Sequence, residues 1–293
     1  MNALNAAGRF DADRHWRGNL RALYDAMRKY EGERVWDDVF LARWTALEDA
    51  GAYFGEIGRR PCSLHAWPEL LEGESENLYC ASRLSDVMLL RFQHGGSGYA
   101  GPDITSDNYA ALFAHLGFRA ELPSRFHPFW CEVVEVSESS GDTIEMTGLL
   151  WPALLLGNMM FSRAGVSVSA PAHLLARGIA DQSALYWSYW RKNRKTIDLS
   201  MGWGSNSQWG TDLRRDFDLG DRYAYNVDGG NKRIDLRLPL VDDDEQAMDY
   251  MDLADRIDFL RNRCLTRSDM PGGSDFWPYD DYFEEPKDGE RHP

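Results

Sequence analysis

The spacing of apolar residues changes period near residue 120, and that switch limits what this chain can fold into. Before it, Trp16, Leu20, Leu23, Tyr24, Met27 and Tyr30 recur at three- and four-residue steps, one apolar stripe along a helix. Trp36, Phe40, Leu41, Trp44 and Leu47 repeat the spacing, with Gly51 as the expected stop. Residues 82–93 carry a further helical segment. The stretch from His94 to Pro102 holds four glycines and reads as a loop. Thr105 then caps a helix bearing Tyr109, Leu112, Phe113 and Leu116, which Gly117 ends.

Beyond residue 120 the pattern becomes strand-like. Residues 129–136 and 143–147 flank the turn residues Ser139 to Asp142, which predicts a β-hairpin. It runs into the apolar stretch 149–161. That stretch is too short to span a bilayer, is interrupted by Pro152, Gly157 and Asn158, and reads as buried core. Gly165 to Ser169 is another expected strand. Pro171 opens a short helix, and Asp181 caps a second one through Ala184, Leu185, Trp187, Tyr189 and Trp190. Ile197 to Met201 follows as a strand. Residues 223–227 and 233–238 around Asp228-Gly-Gly-Asn231 give the strongest hairpin signal. A last helix is expected after Pro239, with Asp242 to Glu245 at its start, Met248, Met251, Leu253, Ile257 and Leu260 on its apolar face, and Arg261, Arg263 and Arg267 at its end. The expectation is an α+β domain with a mainly helical part over 1–120, a mostly antiparallel sheet and a C-terminal helix within 121–268, and an acidic aromatic tail over 269–293 that packs as an arm.

A net charge of −15 argues against nucleic acid or an anionic membrane as the main partner, because such surfaces select basic proteins. It permits a basic protein partner. No apolar leader stands at the start, and Cys62, Cys80, Cys131 and Cys264 lie far apart, which suits reduced thiols in the cytoplasm.

One segment opposes the acidic background. Residues 187–215 hold six cations against two acids and four of the eleven tryptophans. The local balance is +4, so the remainder of the chain sums to −19. As a binding face, it offers the Arg214 and Arg215 forks for phosphate or carboxylate, the side chains of Asn206 and Gln208 for a ligand edge, and Trp203 and Trp209 as platforms. The structural alternative has the tryptophans anchoring a loop and Arg191 to Lys195 favouring a helix C-terminus. An enzyme built here, a hydrolase for an anionic or glycosidic substrate, uses Asp198 or Asp212 as acid/base beside Arg214 and Arg215.

Other candidates are weaker. The loop His94-Gly-Gly-Ser-Gly resembles an oxyanion loop, but no Gly-x-Ser-x-Gly elbow accompanies it. Cys62 and His65 stand three residues apart, a spacing that chance also gives. His127 lies among aromatics, where a packed, hydrogen-bonded ring is the ordinary outcome. The spacing of His, Cys, Asp and Glu suggests no metal, and no cofactor signature is present. The tail interleaves Trp277, Tyr279, Tyr282 and Phe283 with Asp280 and Asp281, aromatic anchors with an acidic rim that suit a protein interface.

The whole profile, acidic and Trp-rich with acidic aromatic segments and no catalytic motif, resembles in style the immunity proteins with which bacteria block a toxin's active site. That resemblance carries no residues across. It implies a partner protein with a basic surface. A structural or assembly subunit is the third alternative.

Overall fold

The computed structural model describes residues 18–63, 67–71, 73–96, 98–197, 214–228, 232–234, 252–268 and 281–287, the three at 232–234 by backbone alone. It is an α+β fold with a helical N-terminal part and a mostly antiparallel sheet. Helix α1 covers residues 18–29. A π-turn (Trp36–Phe40) and two 3-10 turns (Leu41–Arg43, Thr45–Leu47) lead into α2 (Glu48–Gly58). Trp36 stacks on Phe40 at 5.3 Å and meets Trp44 edge-on at 5.8 Å, so the aromatic stripe survives the irregular winding. Helix α3 spans Glu74–Leu89, and α4 (Ser106–His115) carries the full capping box between Thr105 and Asn108.

Gly51, expected from the sequence to stop a helix, does not. It lies inside α2, where an added Cβ would sit 2.2 Å from the His115 carbonyl oxygen. Its role is close approach between the end of α4 and the body of α2.

The large sheet has the order β1-β4-β5-β9-β10-β12-β11, with β1 (Arg119–Glu121), β4 (Ala153–Leu156), β5 (Met159–Ser162), β9 (Asp216–Asp218), β10 (Arg222–Tyr225), β11 (Lys232–Ile234) and β12 (Asp281–Pro286). A smaller sheet has the order β2-β6-β3, from β2 (Cys131–Glu138), β3 (Glu145–Trp151) and β6 (Ala164–Ala170). β4 and β5 form a hairpin closed by Gly157, φ +59°, and Asn158. Alternation along the central strands divides the core. Leu154, Leu156, Met159, Phe217 and Ala224 face the helices α1–α4. Ala153, Leu155, Met160, Tyr223, Tyr225 and Phe283 face the opposite side, with Phe259 and Leu260 of α5 (Leu253–Asn262). Both faces of β4 and β5 are therefore covered, which is why 149–161 reads as continuous apolar core.

Both predicted hairpins are opened by an inserted strand. β2 and β3 do not pair with each other; β6 lies between them, parallel to β2 and antiparallel to β3. Likewise β12 lies between β10 and β11, antiparallel to the first and parallel to the second. In each case the arms keep opposite directions but stand about 10 Å apart instead of 5 Å. Residues 281–286 of the tail thus form an interior strand of the sheet.

The helices expected at 171–190 do not form either. Leu174 and Leu175 N–H donate to the Pro171 carbonyl in a single turn, and Asp181 accepts from Gly178 N–H rather than capping forward. Downstream, β7 (Leu185–Tyr186) pairs in parallel with β8 (Thr196–Ile197), and Tyr186 N–H donates to the Arg263 carbonyl. These long-range bonds hold residues 185–186 extended, and Trp187 then turns the chain at φ +58°. Of the expected last helix, α5 is described, capped by the Asp252 side chain and ended by Arg263 at φ +59°.

Candidate functional site

Three of the six cations of the 187–215 segment, Arg191, Arg194 and Arg215, turn inward, while Lys195 stays exposed. Arg191, 7% exposed, grips both oxygens of Glu132 on β2, Nε to Oε1 at 2.7 Å and Nη2 to Oε2 at 2.8 Å. Its Nη1 lies 2.9 Å from Asp86 Oδ1 on α3, whose other oxygen accepts the Tyr189 N–H at 2.6 Å. One guanidinium therefore ties together a helix, a strand and the 187–195 connection. Burial pushes the Asp86 carboxyl up, with Arg191 opposing it. Burial also acts on Glu132, but the field and hydrogen bonds of Arg191, helped by Arg194 and Arg163, hold that carboxyl below its ordinary range. Arg194 donates through Nη2 to the Val133 and Ala180 carbonyls, each at 2.6 Å, and through Nη1 to Cys264 Sγ at 3.4 Å. Burial raises the Cys264 thiol.

A second lattice adjoins the first. Asp216 Oδ2 receives Arg163 Nη2 at 2.9 Å and Arg263 Nη2 at 3.0 Å, while Arg163 Nη1 reaches the Arg261 carbonyl at 2.6 Å. Arg215 is clamped by Asp228, Nη2 to Oδ1 at 2.7 Å, with its Nη1 on the Pro68 carbonyl at 2.6 Å. Arg215 is thus a structural fork closing the turn after β10, not a free catalytic group. The structural alternative fits Arg191, Arg194 and Arg215, though not through a helix C-terminus, since 187–195 forms none.

Two contiguous cavities lie in this lattice. One, ≈ 30 Å³, has the Asp86–Arg191–Glu132 triad, Arg163 and Ser188 in its wall. The other, ≈ 40 Å³, is walled by Arg214, Arg215 and Arg263 with Ser82, Tyr79, Tyr189, Trp187 and apolar side chains, and among the described residues by no carboxylate. Ser82, Phe161, Trp187 and Arg263 belong to both. Three guanidinium-bearing side chains and the hydroxyl-bearing Ser82, Tyr79 and Tyr189 thus share the wall of the second cavity.

The acidic tail is a different matter. Asp281 is buried and holds Arg256 Nε at 2.8 Å, and Phe283 is buried and stacks on Tyr225 at 5.8 Å. Glu285 accepts from the Tyr225 hydroxyl at 2.8 Å and pairs with Arg261. Tyr282 packs edge-on against Trp67 at 6.1 Å. Residues 281–286 therefore do not offer the exposed acidic-aromatic face that the sequence suggests, because β12 spends those side chains inside the sheet. Asp198, Trp203, Asn206, Gln208, Trp209, Asp212, Trp277, Tyr279 and Asp280 lie outside the described residues.

Sequence reasoning missed Asp86, Glu132, Arg163 and Asp216. A signal existed for two of them. Arg163 interrupts a strand run between Met159 and Val168, and Glu132 stands among Trp130, Cys131, Val133 and Val134. A lone charge in an apolar strand needs a buried partner. His127 takes the ordinary role: its Nδ1 accepts the Phe129 N–H at 3.1 Å and its ring packs on Tyr223 at 4.7 Å.

Among the described residues, buried charge cancels. Six arginines (Arg163, Arg191, Arg194, Arg215, Arg256, Arg263) face six acids (Glu74, Asp86, Glu132, Asp216, Asp258, Asp281). The net −15 thus falls on the rest of the chain. Among the described residues no helix is long and apolar enough to cross a membrane. No protein-family model, no curated protein and no solved structure matches this chain.

Proposed function

We propose that this chain is an acidic binding protein that neutralises a basic partner protein, in the manner of an immunity protein covering the active site of a bacterial toxin in the cytoplasm. One observation carries the reading: the buried charges cancel, so the excess of −15 is left for groups outside the buried set. A surface of that sign steers a basic partner and speeds encounter. The four cysteines stand free of disulfides, as a reducing compartment requires. The acidic contact lies elsewhere than on residues 281–286, which serve the sheet.

A tagged pull-down from the native host's lysate, read by mass spectrometry at low and moderate salt, tests this. The expected result is one stoichiometric protein of high isoelectric point, released as salt rises, whose own activity stops at one-to-one mixing. Recovery without a basic partner, or a partner held equally at all salt concentrations, overturns it.

A further inference from the structure

We infer that the ≈ 40 Å³ cavity between α3, β5 and the Arg263 turn is a binding site for a small oxyanion of the phosphate class. Three arginines, Arg214, Arg215 and Arg263, wall it, and among the described residues no carboxylate does, in a chain of net −15. The carboxylates of the neighbourhood are already placed. Asp228 holds Arg215, and Asp216 holds Arg163 and Arg263. These pairs fix the guanidiniums, and neither acid stands in the cavity wall.

Arg214 is the exception. Among the described residues it has no ion pair, and its Nε is a buried donor without a hydrogen-bond partner. Arg263, 9% exposed, presents a second such Nε. A buried guanidinium donor without an acceptor is costly, so both side chains carry unmet donor capacity beside the cavity. Ser82 adds a hydroxyl to the same wall. Arg83 raises the local positive potential from behind, stacked 4.1 Å from the Tyr189 ring and 4.9 Å from the Tyr79 ring, both of which face the cavity.

Size selects the ligand. A space of ≈ 40 Å³ takes a ligand of a few heavy atoms and is too small for a nucleotide or sugar ring. Tetrahedral oxygens match the forked donors of arginine. The inference is independent of any partner protein, since it rests on the cavity wall alone.

Equilibrium dialysis of the full chain with labelled inorganic phosphate, paired with thermal melts at constant ionic strength, tests it. One phosphate per chain is expected, with a melting-temperature rise of about 5 °C at a hundredfold excess over the dissociation constant. Chloride should give no such rise. Arg214→Gln, which breaks no described ion pair, should lose phosphate while melting near the parent temperature. Absence of saturable one-to-one binding overturns the inference on the parent protein alone. So does retention of phosphate by a folded Arg214→Gln variant, or an equal shift with chloride.

Discussion

Arg191 is the residue on which most of the interior depends. Its guanidinium is the common partner of Asp86 and Glu132, and both carboxylates are buried. Removing a single partner from a buried pair strands the remaining charge, at a cost of about 3–5 kcal/mol. Arg191→Met is therefore expected to lower unfolding free energy by that amount at pH 7 in urea titrations. The deficit should also shrink as pH falls. With Arg191 present, Glu132 titrates below its ordinary 4.5, so its stabilisation holds above that value and is lost as pH drops through the lowered one. Without Arg191, Asp86 is left to burial, which raises its folded value further above the unfolded one, and Glu132 keeps only the fields of Arg194 and Arg163, so its value climbs from the parent's lowered one. Protonation then costs the variant less than the parent at both groups, so acidification from pH 7 to 5 should bring variant and parent closer. A deficit constant across that range would mean that water or another cation reaches the triad. The sequence showed Arg191 as part of a basic island, but not its partners, because Asp86 and Glu132 lie 105 and 59 positions upstream and no local pattern pairs them.

Elements were legible where their signal is local and illegible where it is not. The apolar stripe of α1, the Thr105 box and the strand at 164–170 follow from neighbours within a few residues. Adjacency in the sheet does not. The turn residues at 139–142 and 228–231 correctly imply reversal of direction, yet nothing local states that β6 and β12 enter between the arms. The acids and aromatics of 281–285 were read as a surface because period-2 alternation looks the same on an exposed arm as on a strand whose polar side chains find buried partners. Phe283, 2% exposed between Tyr225 and α5, makes that distinction measurable. Phe283→Ala should cost about 3–5 kcal/mol as a fully buried aromatic truncation, and Asp281→Lys should unfold the chain outright by setting a cation against Arg256. Circular dichroism melts decide between the two placements. An exposed arm would give both variants the parent's melting temperature.

At the scale of the molecule, the net charge is what the described interior leaves unaccounted for. The interior among the described residues is neutral, while the remainder carries the deficit of −15. Like charges on a surface repel one another in the compact state more than in the expanded one, and salt screens that repulsion within about 10 Å at 0.1 M. The interior pairs are screened far less. Raising potassium chloride from about 0.02 to 0.3 M, across which the Debye length shortens severalfold, should therefore raise the melting temperature. The same salt should slow association with a basic partner, because steering acts through that same unbalanced field. The two readouts move in opposite directions for one reason, so together they separate a charged binding face from a surface that is acidic but locally paired. If the negative groups are mostly matched by neighbouring lysines and arginines, salt weakens those pairs, the melting temperature stays flat or falls, and the on-rate loses its salt dependence. A rise in melting temperature with an unchanged on-rate would place the excess charge away from the contact.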